Sequence, residues 1–161
     1  MRSHGGAVYT CWQQEPNNTE WVLCGDGTLA AFTYDYEQQI SAWHHHSISG
    51  GIVESIDTIP SVDGTADTLY MIVRRTINGN TCRYIEYLEK EFNPTSTTDY
   101  STMFFMDCGA SATLGSAGNT ASALAAHLVG QTVQVVADGS MRSDVVVPSN
   151  GNIAVSYTHL R

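Results

Sequence analysis

The segment DTLYMIVRRT (67–76), the turn INGN (77–80) and the segment TCRYIEYLE (81–89) constrain the fold more than any other stretch. Asn-Gly tolerates positive φ at both central positions of a type I′ turn, whose twist matches that of two antiparallel strands. Alternation then sorts the side chains. Leu69, Met71 and Val73 point one way and Tyr70, Ile72 and Arg74 the other, while Tyr84, Glu86 and Leu88 alternate with Arg83, Ile85 and Tyr87. Both faces carry large side chains, so the hairpin is expected to be covered on both sides, as in a propeller blade or a sandwich.

The same turn chemistry recurs along the chain. EWVLCGDGTLAAFTYDYE reads as strand, Asp26-Gly27 turn and strand; QQISAWHHH (38–46) reads as another strand, Gly50-Gly51 as a turn, and GIVESIDTIP (51–60) as a strand ended by Pro60. Short strands with turn signals every 8–12 residues or so belong to all-β propellers and sandwiches. Composition agrees, with 14 glycines and only 14% charged residues. The expected organisation is a partial antiparallel β-propeller region over 7–92, then a linker or long loop over 93–126. In that loop NPTSTTDYST (93–102) is polar and aperiodic, and Thr120 to Leu128 can form two helical turns, capped by Asn119 or Thr120 and stopped at Gly130. An incomplete small β module, of sandwich or barrel type, follows over 127–161, with strands around an Asp138-Gly139 turn and around Asn150-Gly151.

Charge narrows the functions. Seven basic against sixteen acidic residues give a net charge of −9, and Lys90 is the only lysine. Such a surface does not grip a phosphate backbone, although nucleic acid can slide past it. Cys11, Cys24, Cys82 and Cys108 form no C-x-x-C and read as buried free thiols. No apolar run approaches the ~18–20 residues of a membrane span, and MRSHGG is not a signal peptide. The chain reads as soluble and made in a reducing cytoplasm.

The run SAWHHHSISGG (41–51) raises the question of a metal or proton-transfer site. On a strand His44 and His46 share a face and His45 points opposite, so at most two can serve one ion. The run is expected to be a strand end without a metal. Glu54 with Asp57, or Glu86 with Glu89, invites a glycosidase reading, but Glu54 and Glu86 are strand residues placed to pair with Arg74, Arg75 or Arg83 across the sheet. No nucleophile elbow, phosphate loop or dinucleotide fingerprint occurs, and Asp26-Gly27-Thr28 matches only the middle of a sialidase-type turn. No catalytic, cofactor-binding or metal-ligating residue is expected.

Three stretches, taken in order, resemble one family: WVLCGDGTLAAFTYDYEQQISAWHHHSISGGIVESIDTIP, DTLYMIVRRTINGNTCRYIEYLE and HLVGQTVQVVADGS…VPSNGNIAV. They are similar to the tail nozzle proteins of short-tailed bacteriophages, also called tail tubular protein B or phage stabilisation proteins. The resemblance rests on Asp26-Gly27-Thr28-Leu29, Glu37-Gln38, Ala42-Trp43, His46, Gly51, Glu54-Ser55, Val73-Arg74-Arg75, Ile77-Asn78-Gly79 and Arg83-Tyr84-Ile85-Glu86, and spans about 20–90 and 127–155. It implies a non-enzymatic virion component: a homohexameric ring of propeller-like domains below the portal and adaptor proteins, assembled in the host cytoplasm and located in the virion tail. Genomic DNA would leave through its channel without specific binding. Family members are several times longer, so the chain reads as an internal fragment. SYTHLR resembles a translated sequencing-adapter tail, so residues from Ser156 or Tyr157 onward read as non-native in a metagenomic fragment. Two other classes stay open. One is a carbohydrate-binding or adhesion module stacking sugars on Trp12, Trp21, Trp43 and the eight tyrosines; the other is a fragment of a propeller glycoside hydrolase.

Overall fold

A computed structural model of the chain describes residues 2–62, 64–90, 108–114, 120–137 and 139–155. The chain divides into two compact units, Met1–Glu91 and Phe92–Arg161. Both are built from antiparallel strands, and the described residues contain no α-helix. None of the described helices is long and apolar enough to cross a membrane.

The first unit has two sheets. Strands β1 (Ala7–Gln13), β2 (Thr19–Cys24), β3 (Leu29–Asp35) and β4 (Ile40–His46) form a four-stranded meander in chain order. Strands β5 (Gly51–Pro60), β6 (Asp67–Ile77) and β7 (Asn80–Tyr87) form a three-stranded one. The Asn78-Gly79 hairpin has the expected geometry: φ is +52° and +78° at the two turn residues, and Ile77 pairs with Asn80. Alternation then buries one face of each sheet against the other. Trp21, Leu23, Leu29 and Ala31 of the meander share a core with Val53, Ile56, Leu69, Met71 and Val73 of the second sheet, and Cys11 and Ile48 pack at its margin.

Among the described residues of the first unit, the covering expected on both sides of the hairpin is not found. Leu69 and Val73 are fully buried, but on the opposite face Ile85 is 80% exposed, and Ile72 and Tyr87 are exposed too. Large side chains on both faces make a strand able to be covered twice, but they do not supply the second layer.

The sheets are stitched together by backbone as well as by the core. Val53 N–H of β5 donates to the Gly27 carbonyl in the β2–β3 turn (3.0 Å), Asp67 N–H donates to the Glu15 carbonyl (2.9 Å), and the Thr58 hydroxyl donates to the Trp12 carbonyl (2.7 Å). Within the turn itself Asp26 Oδ1 accepts from both the backbone N–H (3.0 Å) and the hydroxyl (2.7 Å) of Thr28. Asp-Gly-Thr is therefore a self-bonded Asx turn, and its likeness to a sialidase turn needs no catalytic reading.

The second unit pairs short strands out of chain order. Here β8 (Thr120–Ala121) joins β13 (Ile153–Ala154), β9 (Thr132–Val133) joins β12 (Val145–Val146), and β10 (Val136–Ala137) joins β11 (Ser140–Met141). Ala121, Ala125, Val147 and Ile153 form its core. The helix expected over Thr120 to Leu128 does not form. Thr120 and Ala121 pair with Ala154 and Ile153, Ala123 takes φ +54°, and only Ala126–Leu128 makes a single 3-10 turn before Gly130 at φ +81°. Small side chains give a helix in that segment little apolar surface to bury, so cross-strand pairing with a distant segment prevails over local propensity. The strands flanking Asn150-Gly151 are also not a hairpin with each other, since each pairs elsewhere. Asn119, Asp138, the loop 93–102 and the SYTHLR end lie outside the described residues.

Candidate functional site

The histidine run lies on β4, the terminal strand of the meander, and the pleat separates its members as the alternation requires. His44 and His46 occupy the inner face, where His44 Nδ1 and His46 Nε2 are 2.6 Å apart and His44 Nε2 is 2.9 Å from Thr33 Oγ1. Both imidazoles pack on the buried Trp21 ring, at centroid distances of 6.1 and 5.2 Å. His45 is on the outer face, 3.0 Å from Thr28 Oγ1 and stacked on His4 at 4.4 Å. His4 in turn meets Asp26 at 2.7 Å, and Asp26 is held down to about 2, chiefly by its bonds from Thr28. Among the described residues no group of three His, Cys, Asp or Glu side chains is arranged to hold a metal ion.

The short contact between His44 and His46 means that one ring donates to the other's lone pair, and two imidazolium ions cannot share that geometry. Burial pushes the His46 imidazole below its ordinary value of 6.5, and the neighbouring charges of His44 and His45 push the same way. Between the lowered value and 6.5 the unfolded chain binds more protons than the folded one, so stability rises with pH there and is lost as pH falls below about 6.5. Thermal unfolding between pH 7.5 and 5.5 is expected to show this loss in the native chain, with a shallower slope in His46→Asn. Equal slopes would contradict the assignment. The lowered carboxylates, Asp26 and Glu54, act in a separate window below about 4.5.

Of the four carboxylates that invite an acid–base reading, Glu54 and Glu86 are held by arginines. Glu54, at the β-bulge of β5, accepts from Arg74 Nε (2.8 Å) and Arg83 Nε (2.7 Å), and those bonds, Arg83's first, hold its carboxyl below the usual range. Glu86 takes a two-pronged grip from Arg75, Nε to Oε1 at 2.7 Å and Nη2 to Oε2 at 2.9 Å, while Arg75 Nη1 donates to the Ser49 carbonyl at 2.6 Å. This second pair is largely shielded, and it ties the β4–β5 loop to the hairpin. Asp57 caps the adjacent Thr58 N–H, and Glu89 caps the N–H of Lys90.

The three tryptophans part company. Trp21 is 4% exposed and donates its indole N–H to Gln13 Oε1 (2.8 Å), so it cannot meet a ligand. Trp12 and Trp43 are on the outer face and stay exposed, at 46% and 56%. Register places them in one row across all four strands: Trp12 opposite Glu20, Glu20 opposite Phe32, Phe32 opposite Trp43. The Phe32 and Trp43 rings are 5.0 Å apart and tilted by 42°. Tyr34, exposed and paired with Ser41, extends the same face toward an open depression at the β3–β4 turn, lined also by Asp35, Tyr36, Glu37 and Gln39. Glu20 and Phe32 escaped a reading by residue type, because only the register of β2 on β3, set by the Asp26-Gly27 turn, aligns them with the tryptophans.

None of the four cysteines is in a disulfide among the described residues, and Cys24 is buried. Cys11, Cys82 and Cys108 are only half-buried, short of the buried state expected for them. Burial, with Asp57 and Glu20 nearby, pushes the Cys11 thiol up to about 11, which makes it a poor nucleophile at neutral pH.

The first unit is thus a pair of packed antiparallel sheets carrying a row of aromatics in which Trp12 and Trp43 are exposed and Phe32 is half-buried. Comparison of the chain with protein-family models and with curated proteins finds no match.

Proposed function

We propose that this chain is a structural component of a short-tailed phage tail, part of a nozzle ring through which the genome leaves, and that it catalyses nothing. The ordered set of motifs from Asp26-Gly27-Thr28-Leu29 to Arg83-Tyr84-Ile85-Glu86 carries this reading. The fold is compatible with it in two ways. The β1–β4 meander has the strand number and up-and-down order of a propeller blade. The second sheet ends on β7 with Ile72, Ile85 and Tyr87 exposed beside that edge, a surface suited to a further protein layer. The acidic balance of −9 suits a channel wall that does not retain DNA. In this reading the oligomer is a homohexamer, in contact with portal and adaptor proteins in the virion tail. Native mass spectrometry of the purified chain tests it: a discrete hexamer is expected, and a monomer throughout the micromolar range would speak against it.

A further inference from the structure

We propose that the outer face of the β1–β4 meander is a glycan-binding platform, on which Trp12, Phe32 and Trp43 stack against the sugar rings of a neutral, equatorially linked hexopyranose chain and Glu20 accepts its hydroxyls. The site is independent of any ring assembly, since every residue of it lies on one sheet of one chain. Three observations carry it.

The first is placement. Four residues from four consecutive strands fall in one register row, and three of them are aromatic. Toward the Asp26-Gly27 end this face buries Val22, Cys24 and Ala30, but Trp12 and Trp43 stay exposed on it and gain nothing from the main core, which is on the other side with Trp21. The second is spacing. Neighbouring strands are about 4.8 Å apart, so Trp12 and Phe32, two strands apart, are separated by about 9.6 Å along the row. That is close to the repeat of two rings in an extended equatorially linked chain, in which alternate rings present the same apolar C–H face. Phe32 and Trp43, at 5.0 Å and tilted by 42°, continue the row as a twisted surface, fit for a single soluble chain rather than a flat crystalline one.

The third is charge. Glu20 is half-buried between Trp12 and Phe32 in the register row, and its carboxylate takes part in no hydrogen bond or ion pair among the described residues. This contrasts with Glu54 and Glu86, both of which are held by arginines. A carboxylate with open lone pairs between two ring faces accepts paired sugar hydroxyls, and no Lys or Arg stands in the row to attract an acidic sugar. The complementarity therefore favours neutral glycans over uronate or sulfated ones. It also explains why the row is not a catalytic site: glycoside hydrolysis needs a second carboxyl facing the first across the bond, and the row holds one.

The test is titration of the full chain with cellohexaose and chitohexaose, followed by tryptophan fluorescence and by calorimetry, with maltohexaose and an alginate hexamer as the axially linked and acidic comparisons. Saturable binding of at least one of the first two is expected, tighter than of either comparison. Trp12→Ala and Trp43→Ala should each weaken it by about tenfold, the loss of one stacked ring, while Trp43→Tyr restores most of it. Glu20→Gln should weaken it less than either and shift preference toward the acidic hexamer. Both tryptophans are exposed, so unchanged far-ultraviolet circular dichroism separates lost binding from lost fold. Absence of binding at millimolar sugar, tighter binding of the alginate hexamer, or full binding in both alanine variants would each overturn the proposal. So would a change in oligomer mass, with no sugar binding, in the Trp43 variant, because the row would then be a contact between copies.

Discussion

Trp21→Ala is expected to destabilise the first unit by about 3–5 kcal/mol, the usual cost of truncating a buried aromatic to alanine. Trp21 lies at the centre of the shared core, against Leu23, Leu29 and Ala31 of its own sheet and the apolar face of the second sheet. It also supports the inner-face imidazoles of His44 and His46 and holds the Gln13 side chain through its indole N–H. Removing the ring leaves a cavity where two sheets meet, and neither sheet can close over it without shearing the Val53–Gly27 and Asp67–Glu15 backbone bonds. Domains of this size are stable by about 5–15 kcal/mol in total, so the variant should retain at most a marginal fold. Urea denaturation gives the measurement, with Trp43→Ala as the internal comparison. An exposed ring of the same size should cost less than about 1 kcal/mol. If the two substitutions cost the same, the buried and exposed faces of the meander have been assigned the wrong way round.

Gly27→Ala has the second largest expected effect, about 2–5 kcal/mol. Gly27 takes φ +82°, which costs a non-glycine residue about 1–2 kcal/mol. A β-carbon there would sit 2.3 Å from Ile52 Cγ2 and 3.2 Å from the Val53 carbonyl oxygen. Ile52 is β-branched and anchored on β5, so the methyl cannot simply swing aside, and forced repacking adds about 1–3 kcal/mol. The two contributions can be separated. Ile52→Ala should relieve the steric part in the double variant and leave the backbone part, so the pair is expected to be non-additive by about 1 kcal/mol or more in equilibrium unfolding. Strict additivity would show that the turn does not press on β5.

These two positions also show what was legible in the chain and what was not. The hairpin over β6 and β7 could be read almost to the residue because Asn78-Gly79 supplies turn, register and alternation together. The pairing of Glu54 and Glu86 with arginines followed from strand parity alone, and so did the separation of His45 from His44 and His46. Trp21 could not be told from Trp12 and Trp43 in the same way. All three sit in β-rich segments, and which face is inner depends on where a second sheet lands. Gly27 announced a turn, yet its second role as the place where that turn touches β5 is a contact between residues far apart in the chain. The segment from Thr120 to Leu128 failed for the same reason, since its partner strand lies some thirty residues downstream. Glu20 and Phe32, the less visible half of the aromatic row, are ordinary strand residues until cross-strand register aligns them.

The assembly claim is tested most directly by electron microscopy of the purified chain, alone and with short duplex DNA at moderate salt. Closed rings with an open axial channel, unchanged by DNA and retaining none of it, are expected. Single compact particles at every concentration, or rings that hold the duplex tightly, would contradict it.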